Sequence, residues 1–87
     1  MAKIFFTGGA AKDYKKLPNK IQFVMAEIFD GDFANNPLSP QFDLRKLKLP
    51  LGGFRMRVGV YRMLFTFENN AVTIYSIKHR KDAYKKR

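Results

Sequence analysis

Arginines spaced two apart are the first residues of this chain that could do chemistry. They alternate with apolar residues in Phe54-Arg55-Met56-Arg57-Val58, and Arg62 follows within Tyr61-Arg62-Met63. A guanidinium presents a planar fork of N–H donors that grips a phosphate through two parallel bonds and stacks on a base. Strand alternation sends Phe54, Met56 and Val58 to one side and Arg55 and Arg57 to the other. Further on comes Lys78-His79-Arg80-Lys81-Asp82-Ala83-Tyr84. His79 can take or give a proton near neutrality, or be an ordinary exposed histidine. Tyr84 can stack on a base or pin the tail to the sheet. The chemistry on offer is the binding of phosphate groups.

The charge is placed rather than scattered. Residues 1–43 carry five Lys/Arg and five Asp/Glu, so they are neutral. Residues 44–87 carry twelve Lys/Arg against Glu68 and Asp82, so the whole formal +10 lies there. A basic surface of this kind attracts polyanions. Lys46 and Lys48 are also two apart. They flank the same surface, or simply keep an edge strand from pairing with another chain. Lys85-Lys86-Arg87 reads as a solvated end that adds non-specific phosphate attraction. No carboxylate pair, Ser-His-Asp set or Gly-rich phosphate loop stands out. There is no Cys, which removes disulfides and thiolate metal sites, and the single His cannot build a zinc site with so few partners. The chain suits a reducing cytoplasm. No apolar run approaches the length of a membrane span.

Positioning these residues requires a packed sheet, and the rest of the chain supplies one. Eighty-seven residues, 46% of them hydrophobic, are enough for one domain over residues 1–87 with one modest core. Ile4-Phe5-Phe6 reads as a first strand. Thr7 can cap a helix through 10–17. Pro18 blocks its continuation and opens a second helix. Leu17, Ile21, Val24, Met25 and Ile28 form its apolar stripe, which ends near Phe29-Asp30-Gly31. Residues 30–43 read as loop. Residues 44–49 fit an edge strand. Phe54–Val58, Tyr61–Phe67 and Val72–Ile77 are clearer strands, with Gly59 at one connection and Asn69-Asn70 as a two-residue turn. The expected class is α+β: two N-terminal helices on a four- to five-stranded, mainly antiparallel sheet. The helices cover one sheet face, and Arg55, Arg57 and Arg62 share the other.

These residues carry a resemblance. The stretch Phe54 to Arg62, followed after one hairpin by His79-Arg80-Lys81-Asp82-Ala83-Tyr84, resembles the RelE/ParE superfamily of bacterial and archaeal toxins. Lys46-Leu47-Lys48-Leu49-Pro50-Leu51-Gly52-Gly53 fits the family's approach to the hairpin, and Lys15-Lys16-Leu17-Pro18 fits its front half. For the RelE branch the resemblance implies a toxin of a type II toxin–antitoxin system. It would be a ribosome-dependent endoribonuclease that cleaves messenger RNA by 2′-hydroxyl attack on the adjacent phosphate. It needs no metal or other cofactor, and a cognate antitoxin blocks it. Arg57 and Arg62 would bind the scissile phosphate. Arg80 would stabilise the pentacovalent state or protonate the leaving oxygen. Tyr84 would orient a base, and His79 would carry the proton. Lys46, Lys48, Arg55, Lys78 and Lys81 are further RNA-binding candidates. Some relatives place Lys at the positions of Arg55 and Arg57. Arg is a poor base there, so His79, Lys46 or Lys48 takes the proton, or catalysis rests on positioning and charge stabilisation. Two other functions stay open: ParE-like inhibition of DNA gyrase, and non-catalytic nucleic-acid binding.

Overall fold

A computed structural model describes residues 2–47 and 53–83. Lys48, Tyr84 and residues 85–87 lie outside them. The chain runs β1 (Lys3–Phe6), α1 (Gly8–Lys15), α2 (Asn19–Asp30), α3 (Asp32–Asn35), β2 (Asp43–Lys46), β3 (Phe54–Val58), β4 (Tyr61–Glu68), β5 (Ala71–His79) and α4 (Arg80–Ala83). One five-stranded sheet has the order β1-β5-β4-β3-β2. β1 runs parallel to β5, and every other pair is antiparallel. The α+β class and the helix pair are as the sequence predicts.

Local chemistry explains the joints. Thr7 Oγ1 accepts the Ala10 N–H at 3.1 Å, which satisfies one donor left open at the start of α1. Pro18, with φ −55° and ψ 145°, stands at the head of α2. Across this bend, Tyr14 donates its hydroxyl proton to the Gln22 carbonyl at 2.7 Å, and Gln22 Nε2 donates to the Leu17 carbonyl at 2.9 Å. The two helices are thereby fixed as a hairpin. Asn69 and Asn70 both adopt positive φ, 54° and 60°, as a two-residue type I′ turn requires.

The helices bury one sheet face. Ala10, Leu17, Met25 and Phe33 meet Met56, Met63, Phe65, Val72, Ile74 and Ile77 in a single core. Val24, a member of the expected stripe, is instead exposed, one residue off the side that carries Met25. The segment read as loop holds a helical turn, α3, which buries Phe33 completely. Phe33 is the hub of an aromatic cluster, with ring centroids 6.0 Å from Phe29, 5.6 Å from Phe42 and 5.3 Å from Phe65. The pairs with Phe42 and Phe65 are edge-on, a geometry that the ring quadrupole favours.

Two features set the register of the functional strands. β1 pairs with β5 only over residues 71–74. Beyond that, Asp13 on α1 takes over: its Oδ2 accepts the Ile77 N–H and its Oδ1 pairs with Lys78 Nζ, both at 3.0 Å. Further along the sheet, Leu64 pairs with Ser76 but Phe65 pairs with Ile74, so Tyr75 is an extra residue, a β-bulge. The bulge lets Ile74 and Ile77, three apart, both point into the core.

Gly53 enters β3 with φ 92°, and a Cβ placed there would lie 2.5 Å from the Phe65 carbonyl oxygen. Both the dihedral and the contact exclude a side chain. Gly53→Ala is therefore expected to cost about 2 kcal/mol. Urea denaturation of the variant checks this; an unchanged midpoint would contradict it.

Candidate functional site

The antiparallel ladder carries five cations onto one face. Arg57 on β3 lies across from Arg62 on β4, which lies across from Lys78 on β5. Two residues along, Arg55 lies across from Leu64 on one side and Arg45 of β2 on the other. Met56, Met63 and Phe65 point to the opposite, helix-covered side and are buried. The alternation places Arg55, Arg57 and Arg62 on the open face, as expected from the sequence.

Arg80 joins them through a backbone contact. Its N–H donates to the Val60 carbonyl at 2.7 Å, which ties the start of α4 to the β3–β4 turn. Gly59, with φ 61°, makes that turn possible. The result is a cleft of about 150 Å³ lined by Arg57, Gly59, Val60, Arg62 and Arg80. This is below the roughly 300–1,000 Å³ of small-molecule pockets, so it suits a single anionic group rather than a whole ligand. No acid lines it. Asp43, paired across the strands with Arg57, reaches only to 3.9 Å from Arg57 Nε, and both side chains are largely exposed. A contact of that kind holds Arg57 weakly.

Arg55 sits deeper. Its Nε is buried and finds no acceptor among the described residues. Burial lowers the pKa of its guanidinium from the usual value, and repulsion by Arg62, Arg57 and Arg45 lowers it further, with Asp43 opposing. The fold thus penalises the charged form, and Arg stays charged at every working pH. Arg55→Met is expected to stabilise the protein by about 1 kcal/mol, because it removes an unsatisfied donor and a like charge together. A lower urea midpoint for this variant would contradict that.

The remaining expected site residues divide. His79 is the last residue of β5, not a residue beyond it, and it pairs with Tyr61 on the helix-covered side. Its ring meets the Tyr61 ring edge-on at 5.3 Å, and its Nδ1 accepts the Lys81 N–H at 3.1 Å. It is not brought to the arginine face. The bulge at Tyr75 is the reason: one extra residue inverts the side on which every later residue of the strand emerges. Lys46 pairs with Phe54, so it too emerges on the helix side, at the sheet edge. Arg45 takes the place expected of Lys46. The signal for this was present: Leu44 is apolar and turns inward, which turns Arg45 outward. Lys78 shares the open face, but its ammonium is held by Asp13. Lys81 is exposed on α4. Lys48 and Tyr84 lie outside the described residues. Among the described residues, no three His, Cys, Asp or Glu side chains gather closely enough to hold a metal ion. No helix among them is long and apolar enough to cross a membrane.

Comparison with known proteins places this arrangement. The family model of the ParE toxin of the type II toxin–antitoxin system parDE matches residues 4–84. Toxin RelG of Mycobacterium tuberculosis is 35% identical over 83 residues, covering 93% of each chain. Two solved complexes contain similar chains. One is the toxin–antitoxin complex RelBE2 of M. tuberculosis, with TM-score 0.76, 32% identity, and coverage of 91% of this chain and 98% of that one. The other is the RelB–RelE antitoxin–toxin complex of Methanococcus jannaschii, with TM-score 0.78, 26% identity, and coverage of 92% and 94%. The family match takes in the helical hairpin, all of the sheet but Lys3, and the arginine-bearing strands, and the chain therefore belongs to the RelE/ParE superfamily of type II toxin–antitoxin toxins.

Proposed function

We propose that this toxin is an endoribonuclease that cuts messenger RNA in the decoding site of the ribosome and so stops translation. The observation that carries this is the cleft lined by Arg57, Arg62 and Arg80, with no acid among its described lining. It offers guanidinium donors from three directions to one phosphate. In the proposed step the 2′-oxygen forms a bond to the adjacent phosphorus, and the bond from phosphorus to the 5′-oxygen breaks. The products are a 2′,3′-cyclic phosphate and a 5′-hydroxyl. The 2′-hydroxyl gives its proton to solvent water, and the leaving 5′-oxygen takes one from solvent water.

Arg57 and Arg62 hold the phosphate oxygens. Arg80 donates to the charge that builds up on the pentacovalent phosphorus. Tyr84 orients a base. The described lining of the cleft is arginine, glycine and valine, so it holds no neutral base. The rate therefore comes mainly from positioning and from charge stabilisation, with no metal. His79 acts through Arg80 as a positioning residue: by accepting the Lys81 N–H it fixes the first turn of α4. Lys46, Lys48 and Lys81 add long-range attraction for RNA, and Lys78 contributes what Asp13 leaves unneutralised. The protein acts in the cytoplasm. A cognate antitoxin, of the kind that accompanies the similar chains in the RelBE2 and RelB–RelE complexes, blocks it.

The ParE description of the matching family favours a second reading, inhibition of DNA gyrase through protein contacts. Brief expression in growing cells, with mapping of messenger RNA 5′ ends, separates the two. Cuts in phase with codons on translated messages are expected. Intact messages together with DNA damage would overturn the nuclease reading in favour of gyrase.

A further inference from the structure

Two adjacent rows of residues cross the open face. One runs Asp43, Arg57, Arg62, Lys78; the other runs Arg45, Arg55, Leu64, Ser76. They are two residues apart along each strand, or about 7 Å. The first row opens into the arginine cleft. The second differs in character because Leu64 stands in its middle. Around Leu64 lies a second concavity of about 310 Å³, lined by Leu47, Arg55, Arg62, Leu64, Ser76 and Lys78. Its walls are mostly apolar. The Lys78 ammonium is turned to Asp13 at 3.0 Å, so Lys78 offers this concavity its methylene stem. The polar groups at hand are the Ser76 hydroxyl and the guanidinium groups of Arg55 and Arg62. The buried Arg55 Nε has no acceptor among the described residues.

An inorganic anion would leave the two leucines unused. A purely apolar group would give the Arg55 guanidinium no acceptor. A flat heteroaromatic ring with acceptors on its edge uses both. Arg62 lines both concavities, so an occupant of the second lies beside a phosphate in the first. In a single strand of RNA the flat heteroaromatic group nearest each phosphate, one ribose away, is a nucleobase. We propose that this concavity is a nucleobase subsite, which takes the base of a nucleotide flanking the bound phosphate. The ring lies against Leu47 and Leu64, and Arg55 donates to an acceptor on its edge. The proposal rests on the RNA reading above and adds to it a base contact built from Leu64, Arg55 and Ser76.

The test uses the whole protein and a five-nucleotide 2′-O-methyl RNA, which cannot be cleaved by 2′-hydroxyl attack. Fluorescence anisotropy measures its affinity, then that of versions with one abasic position walked along the strand. One abasic position is expected to weaken binding by about tenfold, in the range of single-base stacking contacts. Leu64→Ala is expected to weaken the intact strand by a similar factor and to erase the penalty at that position alone. Arg55→Met, expected to fold at least as stably as the parent, serves as the second variant and is expected to lower the same penalty. Equal affinity for intact and abasic strands, with binding still lost in Arg62→Ala, would overturn the subsite and leave the phosphate cleft standing. No binding at all would overturn the subsite, and binding of the intact strand that Arg62→Ala does not weaken would overturn the RNA reading and the subsite with it.

Discussion

Arg62→Ala is expected to slow cleavage of ribosome-bound messenger RNA by about 100-fold, the usual loss when one donor to transition-state charge is removed. Arg62 is the central member of the site. It lies across from Arg57 on one side and Lys78 on the other, and it lines both the arginine cleft and the neighbouring concavity. The effect should fall on the chemical step rather than on folding, because the substitution also removes one of the charges that press on Arg55. Arg62→Lys should recover only part of the rate, since an ammonium lacks the planar two-pronged fork. Single-turnover rates on programmed ribosomes, with melting temperatures measured in parallel, check both halves. A fully active Arg62→Ala protein would remove the basis for the site.

Phe65→Ala should have the largest effect on stability, about 3–5 kcal/mol. The side chain is fully buried, with ring centroids 5.3 Å from Phe33 and 5.6 Å from Phe54. It joins the helix-side aromatic cluster to the sheet. Removing it leaves a void walled by other large side chains, which cannot all collapse into the space. A chain of this length has about 4–13 kcal/mol of total stability to lose. The variant should therefore be marginally folded or unfolded at 37 °C. Urea denaturation measures the loss, and a change below about 1 kcal/mol would show that the core relaxes around the gap.

The contrast between these two phenylalanine-lined and arginine-lined faces was largely legible in the sequence. The alternation of β3 and β4 is regular, so Arg55, Arg57 and Arg62 fell together on one side. Asn69-Asn70 can be read as a tight turn because few residue types tolerate positive φ at both positions. What the sequence hid depends on pairing. Nothing local in Ile74-Tyr75-Ser76-Ile77 announces the bulge, yet it decides which side His79 takes. Lys46 and Lys48 looked like a basic pair in phase with Arg55 and Arg57, but the pairing of Leu44 with Met56 puts Arg45 there instead. The helical turn at Phe33 was masked by Gly31 and Asn35-Asn36-Pro37, whose turn chemistry outweighs a four-residue pattern. Arg80 reaches the cleft through a backbone hydrogen bond to Val60, a contact between residues twenty positions apart that no spacing rule encodes.

The central claim is that three arginines on a sheet face drive attack of an RNA 2′-hydroxyl on its own phosphate. The most direct measurement incubates the purified protein with ribosomes programmed with a defined message and identifies the new ends. The expected result is a cut that requires the ribosome, with a 2′,3′-cyclic phosphate on one fragment and a 5′-hydroxyl on the other. A 3′-hydroxyl facing a 5′-phosphate, or no cleavage beyond that of an Arg57→Ala, Arg62→Ala, Arg80→Ala protein, would contradict it.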